Sequence, residues 1–307
     1  MNREIYNISD SKNAIHNLPL SWTTDIGLDE VSAIKISRNN FWLNGGSVKS
    51  IENFLNSIQD FSNKKQIIIR GCDKTVTNKL KERGYHQTLF AKEAVIELND
   101  NKMLLSDKLN RRIKSLLNRG VVKEVSYSNE NILLFNEFTK NTVHSKEPQL
   151  KHLFLDKLSD RTRLFVFEIT ANNWEGAILI SKNSKSKMQG EQFFRKINGM
   201  NGIMDTLVFQ ISDILKKEGY SEFSLGEVPF IAKDKYSNLS KTNFLNFIGS
   251  KFKFAYNYEG LFHFKDKFTT RWDDVFICSN QKLKFNDIFG MVKKSNLLSL
   301  AFYKIFN

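Results

Sequence analysis

The stretch NGIMDTLVFQISDILKKEGYSEFSLGEVPF, residues 201–230, decides the fold. Ile203, Leu207, Ile211 and Leu215 recur every four residues, which predicts one long helix over 202–218 with a single buried apolar stripe. Gly219 stands where helices commonly end in a left-handed residue and is read as the C-cap. SEFSLGEVPF (221–230) then reads as a strand running into a loop. Just upstream, in EQFFRKINGMNGIMDTLVF (191–209), a strand end passes through a Gly/Asn-rich turn directly into the helix. Strand, helix and strand in succession are the signature of an α/β layer.

The same logic repeats on the N-terminal side. A strand-like FWL (41–43) precedes a helical pattern of Val48, Ile51, Leu55 and Ile58. The buried-strand run QIIIRG (66–71), a charged helix TNKLKERGY (77–85) and the alternating strand EAVIEL (93–98) follow. A basic helix, LSDKLNRRIKSLLNRG (105–120), leads into VVKEVSYS (121–128). Helical segments around 130–143 and 147–158 and strands RLFVFEIT (163–170) and EGAILIS (175–181) complete the second half. The expected division is an N-terminal unit over 1–125 that includes the linking helix 105–119, a second unit over 126–285, and a basic amphipathic helix over 286–307. YNYEGLFHFKDKFTTRW (256–272) reads with a period of two. Phe262, Phe264, Asp266 and Phe268 face one side and His263, Lys265 and Lys267 the other, which predicts a strand with cations behind aromatics.

The chain has 307 residues, 41% of them hydrophobic, a formal net charge of +13 and a pI of about 9.5. That excess favours polyanionic partners: nucleic acid, an anionic membrane surface or a phosphorylated substrate. A Lys- and Asn-rich composition accounts for it equally well. Two cysteines without a CxxC exclude a disulfide framework and a structural zinc site. The five histidines have no metal-ligand spacing, and no GxSxG, Walker or HExxH pattern is present. The N-terminus lacks the apolar core of a signal peptide, and no run approaches 18 apolar residues. The expectation is a cytoplasmic protein, peripheral on the inner face of the cell membrane.

Asp205 falls in the first turn of the helix 202–218, where the helix dipole favours a carboxylate for structural reasons alone; the free N–H groups there also suit an anion. Arg195, beside the turn, suits bidentate binding of phosphate or carboxylate, and equally a surface ion pair. Arg111, Arg112, Lys114 and Arg119 of the basic helix form either a solvated face or a contact to a phosphate backbone.

These residues carry a resemblance. The segments 201–230 and 256–272 resemble the C-terminal synthase domain of the bacterial phosphatidylglycerol lysyltransferases, also called the aminoacyl-phosphatidylglycerol synthase domain. The family pattern has an N-G-x-M-D helix start, a G-Y turn, an L-G-x-x-P loop and a G-L…K-x-K-F…W element, and all appear here in order. Weaker similarity in RGYHQTLFAKEAVIEL (83–98) and KLNRRIKSLLNRG (108–120) extends it over roughly 65–280. The sequence departs from the family at Thr270, usually Pro, near Val275, usually Arg, at Gln192, often Asp, and at Glu227, usually small or Met. The family's large N-terminal membrane domain does not accompany these segments, so a freestanding synthase domain is expected.

The resemblance implies an α/β tandem of two acyltransferase folds of the N-acetyltransferase (GNAT) type with the site in the second. It implies aminoacyl-tRNA as donor, a hydroxyl of an anionic lipid such as phosphatidylglycerol as acceptor, and no metal or organic cofactor. It assigns catalytic roles to Asp205, Lys265 and Lys267, substrate binding to Arg195, His263, Tyr258 and Glu227, and tRNA binding to Arg111, Arg112, Lys114 and Arg119. Two alternatives stand beside it. One is an acetyl-CoA enzyme, for which KINGMN (196–201) is the nearest pyrophosphate turn; the other is a non-catalytic basic adaptor for tRNA or membranes. For 286–307, an interfacial helix with Ile288, Met291, Val292, Leu298, Phe302 and Ile305 on its apolar face competes with a terminal helix docked on the core.

Overall fold

The computed structural model describes residues 18–24, 30–62, 65–99, 105–229 and 258–306. The first half contains β1 (Trp22–Thr24), β2 (Glu30–Lys35), β3 (Asn40–Val48), α1 (Ile51–Phe61), β4 (Gln66–Cys72), α2 (Lys74–Glu82) and β5 (His86–Glu97). Helix α3 (Asp107–Leu117) leads to β6 (Val121–Val125), α4 (Asn129–Lys140), β7 (Thr162–Thr170), β8 (Asn173–Lys182), β9 (Lys187–Arg195), α5 (Ile203–Lys217) and β10 (Glu222–Pro229). Helix α6 (Tyr258–Asp266), β11 (Arg271–Ser279), α7 (Phe285–Lys294) and α8 (Leu297–Phe306) follow.

Local chemistry explains the helix starts. Ser50, Asp73, Ser106 and Ser128 cap α1 to α4, each side-chain oxygen accepting the backbone N–H three residues on. Helix α5 begins differently, on Gly202 at φ +92° with no side-chain cap. A Cβ at Gly202 would lie 2.4 Å from Arg112 Cδ, so glycine is required both for its backbone angle and for the passage of Arg112.

The described strands form one eleven-stranded sheet in the order β1-β3-β4-β11-β5-β10-β9-β8-β7-β6, with β2 paired to β3. β3 runs parallel to β4 and β9 parallel to β10, and the halves meet through the antiparallel pair β5–β10. Strand β11, late in the chain, lies between β4 and β5 of the first half and ties the two halves together. One core packs α3 and α5 on the second half through Ile113, Phe167, Ile178, Leu207, Ile211 and Phe223. Another lies under α1 and α2, and a third under α4.

Three expectations are corrected. The segment 256–272 is not a strand: its described part is the helix α6 followed by β11. Phe264 and Phe268 are one helical turn apart and pack edge to face at 6.0 Å, so spacing that also fits a period of two is satisfied helically. The segment 147–158 is not helical. Its backbone is held from outside: Lys151 N–H donates to the Ser295 carbonyl, Leu155 N–H to Glu191, and the Leu153 carbonyl accepts from Ser21 and Arg70. The single C-terminal helix is two, broken at Ser295 and Asn296, the latter at φ +64°.

Candidate functional site

A period-two reading of β9, KMQGEQ, puts Lys187, Gln189 and Glu191 on one face and Met188 on the other. Met188 enters the main core, whereas the three polar side chains are buried on the opposite face. Strand β10 faces them with Glu222 opposite Lys187 and Ser224 opposite Gln189. Glu227 lies opposite Glu93 of β5. A polar row thus runs through the middle of the sheet where water is excluded, and each charge there needs a partner.

Those partners are specific. Lys187 Nζ lies 2.8 Å from Glu93 Oε1, both side chains 2% exposed. Glu191 accepts from Ser181 Oγ at 2.6 Å and Leu155 N–H at 2.9 Å. Burial outweighs these bonds and pushes its carboxyl up to about 7. Arg70 reaches in from β4, pairing with Glu227 Oε1 and donating to the Leu153 carbonyl at 2.7 Å. Among the described residues, the other carboxylate oxygen of Glu227 has no hydrogen-bond partner. Burial raises the Glu227 carboxyl, against the opposing charges of Arg70 and Lys265.

Strands β9 and β10 pair only over Lys187–Gln189 and Glu222–Ser224, then part. Gly226, at φ +84° in the irregularity between Ser224 and Glu227, marks that point. Lys265, from the last turn of α6, puts its ammonium there: an ideal Cβ at Gly226 would lie 3.4 Å from Lys265 Nζ and 3.4 Å from the Gly190 carbonyl. Lys265 Nζ donates to the Glu227 carbonyl at 3.0 Å and the residue is 4% exposed. Burial lowers this amine to about 7, with Glu227 and Glu93 opposing the shift. An amine half neutral near pH 7 can take and return a proton.

A second cluster adjoins α6. Asp205, 4% exposed on the first turn of α5, pairs through Oδ1 with Lys267, while its Oδ2 lies 3.9 Å from Arg112 Nη1 of α3. Lys267 Nζ also lies 4.7 Å from the centre of the Phe264 ring. The structure therefore brings together Asp205, Lys267 and Arg112, and separately Lys265, Glu227 and Arg70. Arg195 is exposed at the end of β9, and His263 is exposed on α6 against the Phe262 ring. Tyr258 is half-buried at the start of α6. Arg111 and Lys114 line a shallow surface depression with Asp107 and Asn110, on the outer side of α3. Arg119 is exposed, with Met200 beside it. Among the described residues, no group of three His, Cys, Asp or Glu side chains is arranged to hold a metal ion.

Sequence reasoning missed Arg70, Glu93, Lys187, Gln189 and Glu191. The signal available was the alternation in KMQGE, polar residues every second position around a core methionine. It marks a buried polar face once β9 is known to be a central strand.

Residues 164–279 match the family described as phosphatidylglycerol lysyltransferase, C-terminal, a range that starts within β7 and runs through α5 and α6 to the end of β11. No curated protein sequence matches the chain. Among solved structures, L-PGS from Bacillus licheniformis aligns at 13% identity over 86% of this chain and 84% of that one, with a TM-score of 0.64. A C-terminal (DUF2156) domain from Agrobacterium fabrum aligns at 13% identity over 87% and 84%, with a TM-score of 0.63. The structure named FemX aligns at 11% identity over 81% and 83%, with a TM-score of 0.51. The chain shares the mixed α/β fold of these proteins, as its sequence led one to expect.

Proposed function

We propose that this chain is an acyltransferase that moves an aminoacyl group from an aminoacyl-tRNA to a hydroxyl of a lipid such as phosphatidylglycerol. The observation that carries the reading is Lys265, a buried amine near neutrality at the parting of two parallel strands, within the segment that matches the synthase family. In this reading the acceptor hydroxyl attacks the ester carbonyl of the donor as Lys265 takes its proton. The Glu227 carbonyl holds one N–H of the amine, leaving the lone pair free. The tetrahedral oxyanion collapses, the bond to the ribose oxygen breaks, and the proton returns from Lys265 to that oxygen. One ester replaces another with no net proton change, so positioning and electrostatic stabilisation suffice. Asp205 and Lys267 hold the end of α6, which carries Lys265, against α5. Arg111 and Lys114 face outward, as groups that meet an RNA phosphate backbone must.

The acetyl-CoA reading is less favoured. Lys196, the first residue of its candidate pyrophosphate turn, is bonded to Glu175 at 2.9 Å and Asn173 at 3.1 Å. The start of α5 beyond the turn is covered by Arg112 at Gly202. Expression of the chain in a bacterial host, followed by lipid extraction and mass spectrometry, tests the proposal. New aminoacylated lipids are expected, absent with Lys265→Met. Unchanged lipids together with tight CoA binding would favour the acetyl-CoA reading.

A further inference from the structure

Helices α7 and α8 are docked on one face and exposed on the other. On the inner side Met291 packs with Trp42, Ile68 and Ile277, and Leu300 and Ala301 are buried. Gly290 lies so close to Ile36, just beyond strand β2, that a Cβ would come within 2.1 Å of it. Asp287 accepts from Gln66 Nε2 at 3.1 Å and Lys284 N–H at 2.8 Å, and Asn296 Nδ2 donates to the Gln149 carbonyl at 2.8 Å. The docked reading of this region drawn from sequence therefore describes the inner side. Met291, expected on an outward apolar face, turns in.

The outer side is apolar. Phe285 and Phe289, one turn apart and stacked at 6.2 Å, are 57% and 47% exposed. On α8, Phe302, Ile305 and Phe306 are 58%, 53% and 78% exposed and share a face at three- and four-residue spacing. Phe289 and Phe302 stand at equal chain distance from the turn, as do Phe285 and Phe306. Lysines surround them: Lys282, Lys284, Lys293 and Lys294 are exposed, and Lys293 continues the Phe285–Phe289 stripe by one more turn. From Gln281 to Phe306 the acidic side chain is Asp287, which is buried and hydrogen-bonded, so the exposed charge of this hairpin is wholly positive. Five large apolar side chains on a folded, braced surface are more than scattered exposure accounts for.

We infer that the outer face of α7 and α8 docks on the interface of an anionic lipid bilayer. The aromatics would enter the acyl boundary and the lysines, with their apolar stems beside the rings, would meet anionic headgroups. Charge selects this occupant: a second copy of a +13 chain would bring lysines against lysines. An RNA would leave Ile305 and the phenylalanines without the stacking order that a single strand needs. Among the described residues no helix is long and apolar enough to cross a membrane, so this contact is one of surface docking.

Sedimentation of the full chain with vesicles tests the inference. The chain should sediment with vesicles containing phosphatidylglycerol and remain in solution with phosphatidylcholine alone. Phe285→Ser with Phe289→Ser should weaken partitioning at least tenfold. Lys293→Gln with Lys294→Gln should weaken it about 30-fold at low salt, from the usual value of a lysine near an anionic surface. Phe289→Trp should show a blue-shifted emission on adding the anionic vesicles. All are exposed positions, so melting temperature should not change, and transfer to detergent-dispersed lipid should persist. Partitioning equal to that of the parent chain in both double variants would overturn the inference. So would a dimer in sedimentation velocity that the Phe variant dissociates while vesicle binding stays constant. A chain that docks but transfers nothing would refute the proposed activity and leave this surface standing.

Discussion

Replacing Lys265 with Met should make the protein more stable while abolishing transfer. The amine is 4% exposed and lowered to about 7 by burial. An unfolded lysine titrates near 10.4, so at pH 7 folding must strip or strand a proton, at a cost of about 4 kcal/mol. Met keeps the length and apolar stem without that penalty. The Glu227 carbonyl then loses its donor, which returns about 1 kcal/mol. The net expectation is a gain of about 3 kcal/mol at pH 7. Because the folded value is depressed, the unfolded chain binds the extra proton between about 7 and 10.4, so wild-type stability rises with pH across that window. Lys265→Met should lose this rise. Guanidinium unfolding followed by tryptophan fluorescence at pH 6, 7, 8 and 9 measures both quantities. Parallel pH profiles for the two proteins would refute the idea that Lys265 is a buried, deprotonating amine.

Glu191 has the opposite slope: its folded value, about 7, lies above the unfolded one, so its contribution is full below about 4.3 and lost as pH rises toward 7. Glu191→Gln should flatten the unfolding midpoint between pH 4.5 and 7. Lys267→Ala leaves the buried Asp205, among the described cations, with the distant Arg112 and should destabilise by about 1–3 kcal/mol, with Lys267→Arg restoring most of it in thermal melts. Arg111→Gln with Lys114→Gln should weaken tRNA binding and reduce the salt slope by about 1 for each phosphate no longer neutralised, as read by filter binding at several salt concentrations. Arg112→Gln should instead perturb the Asp205 cluster, seen as a lower melting temperature.

Helix α5 was legible because its stripe is long, regular and closed by glycine: Ile203 to Leu215 with Gly219, which sits at φ +87°. Strands β4, β7 and β8 were legible as apolar runs. Helix α6 was not, because Phe264, Phe268 and Lys265 fit a period of two and a helical turn alike. Local spacing cannot separate those when the segment is short. Segment 147–158 looked helical, yet its backbone groups are claimed by Arg70, Glu191 and Ser295, partners distant in sequence. Asp205 and Lys267 were both singled out and do meet. Arg112, read as a surface cation for RNA, lies across Gly202 beside Asp205 because the glycine leaves room for it. The polar row on β9 and β10 was hidden because alternating polar residues such as Lys187, Gln189 and Glu191 mark a buried face only once the topology puts their strand in the middle of the sheet.

The most direct test of the transferase reading is transfer by the purified chain. Charged tRNAs bearing labelled amino acids are mixed with phosphatidylglycerol vesicles, and label is followed into the lipid phase. Label should appear in lipid with the wild-type chain, with a rate rising as pH approaches and passes 7 as Lys265 loses its proton. It should be absent with Lys265→Met, although that variant is folded and more stable. Lipid labelling by Lys265→Met at the wild-type rate, or none by the wild-type chain with any charged tRNA, would contradict the account.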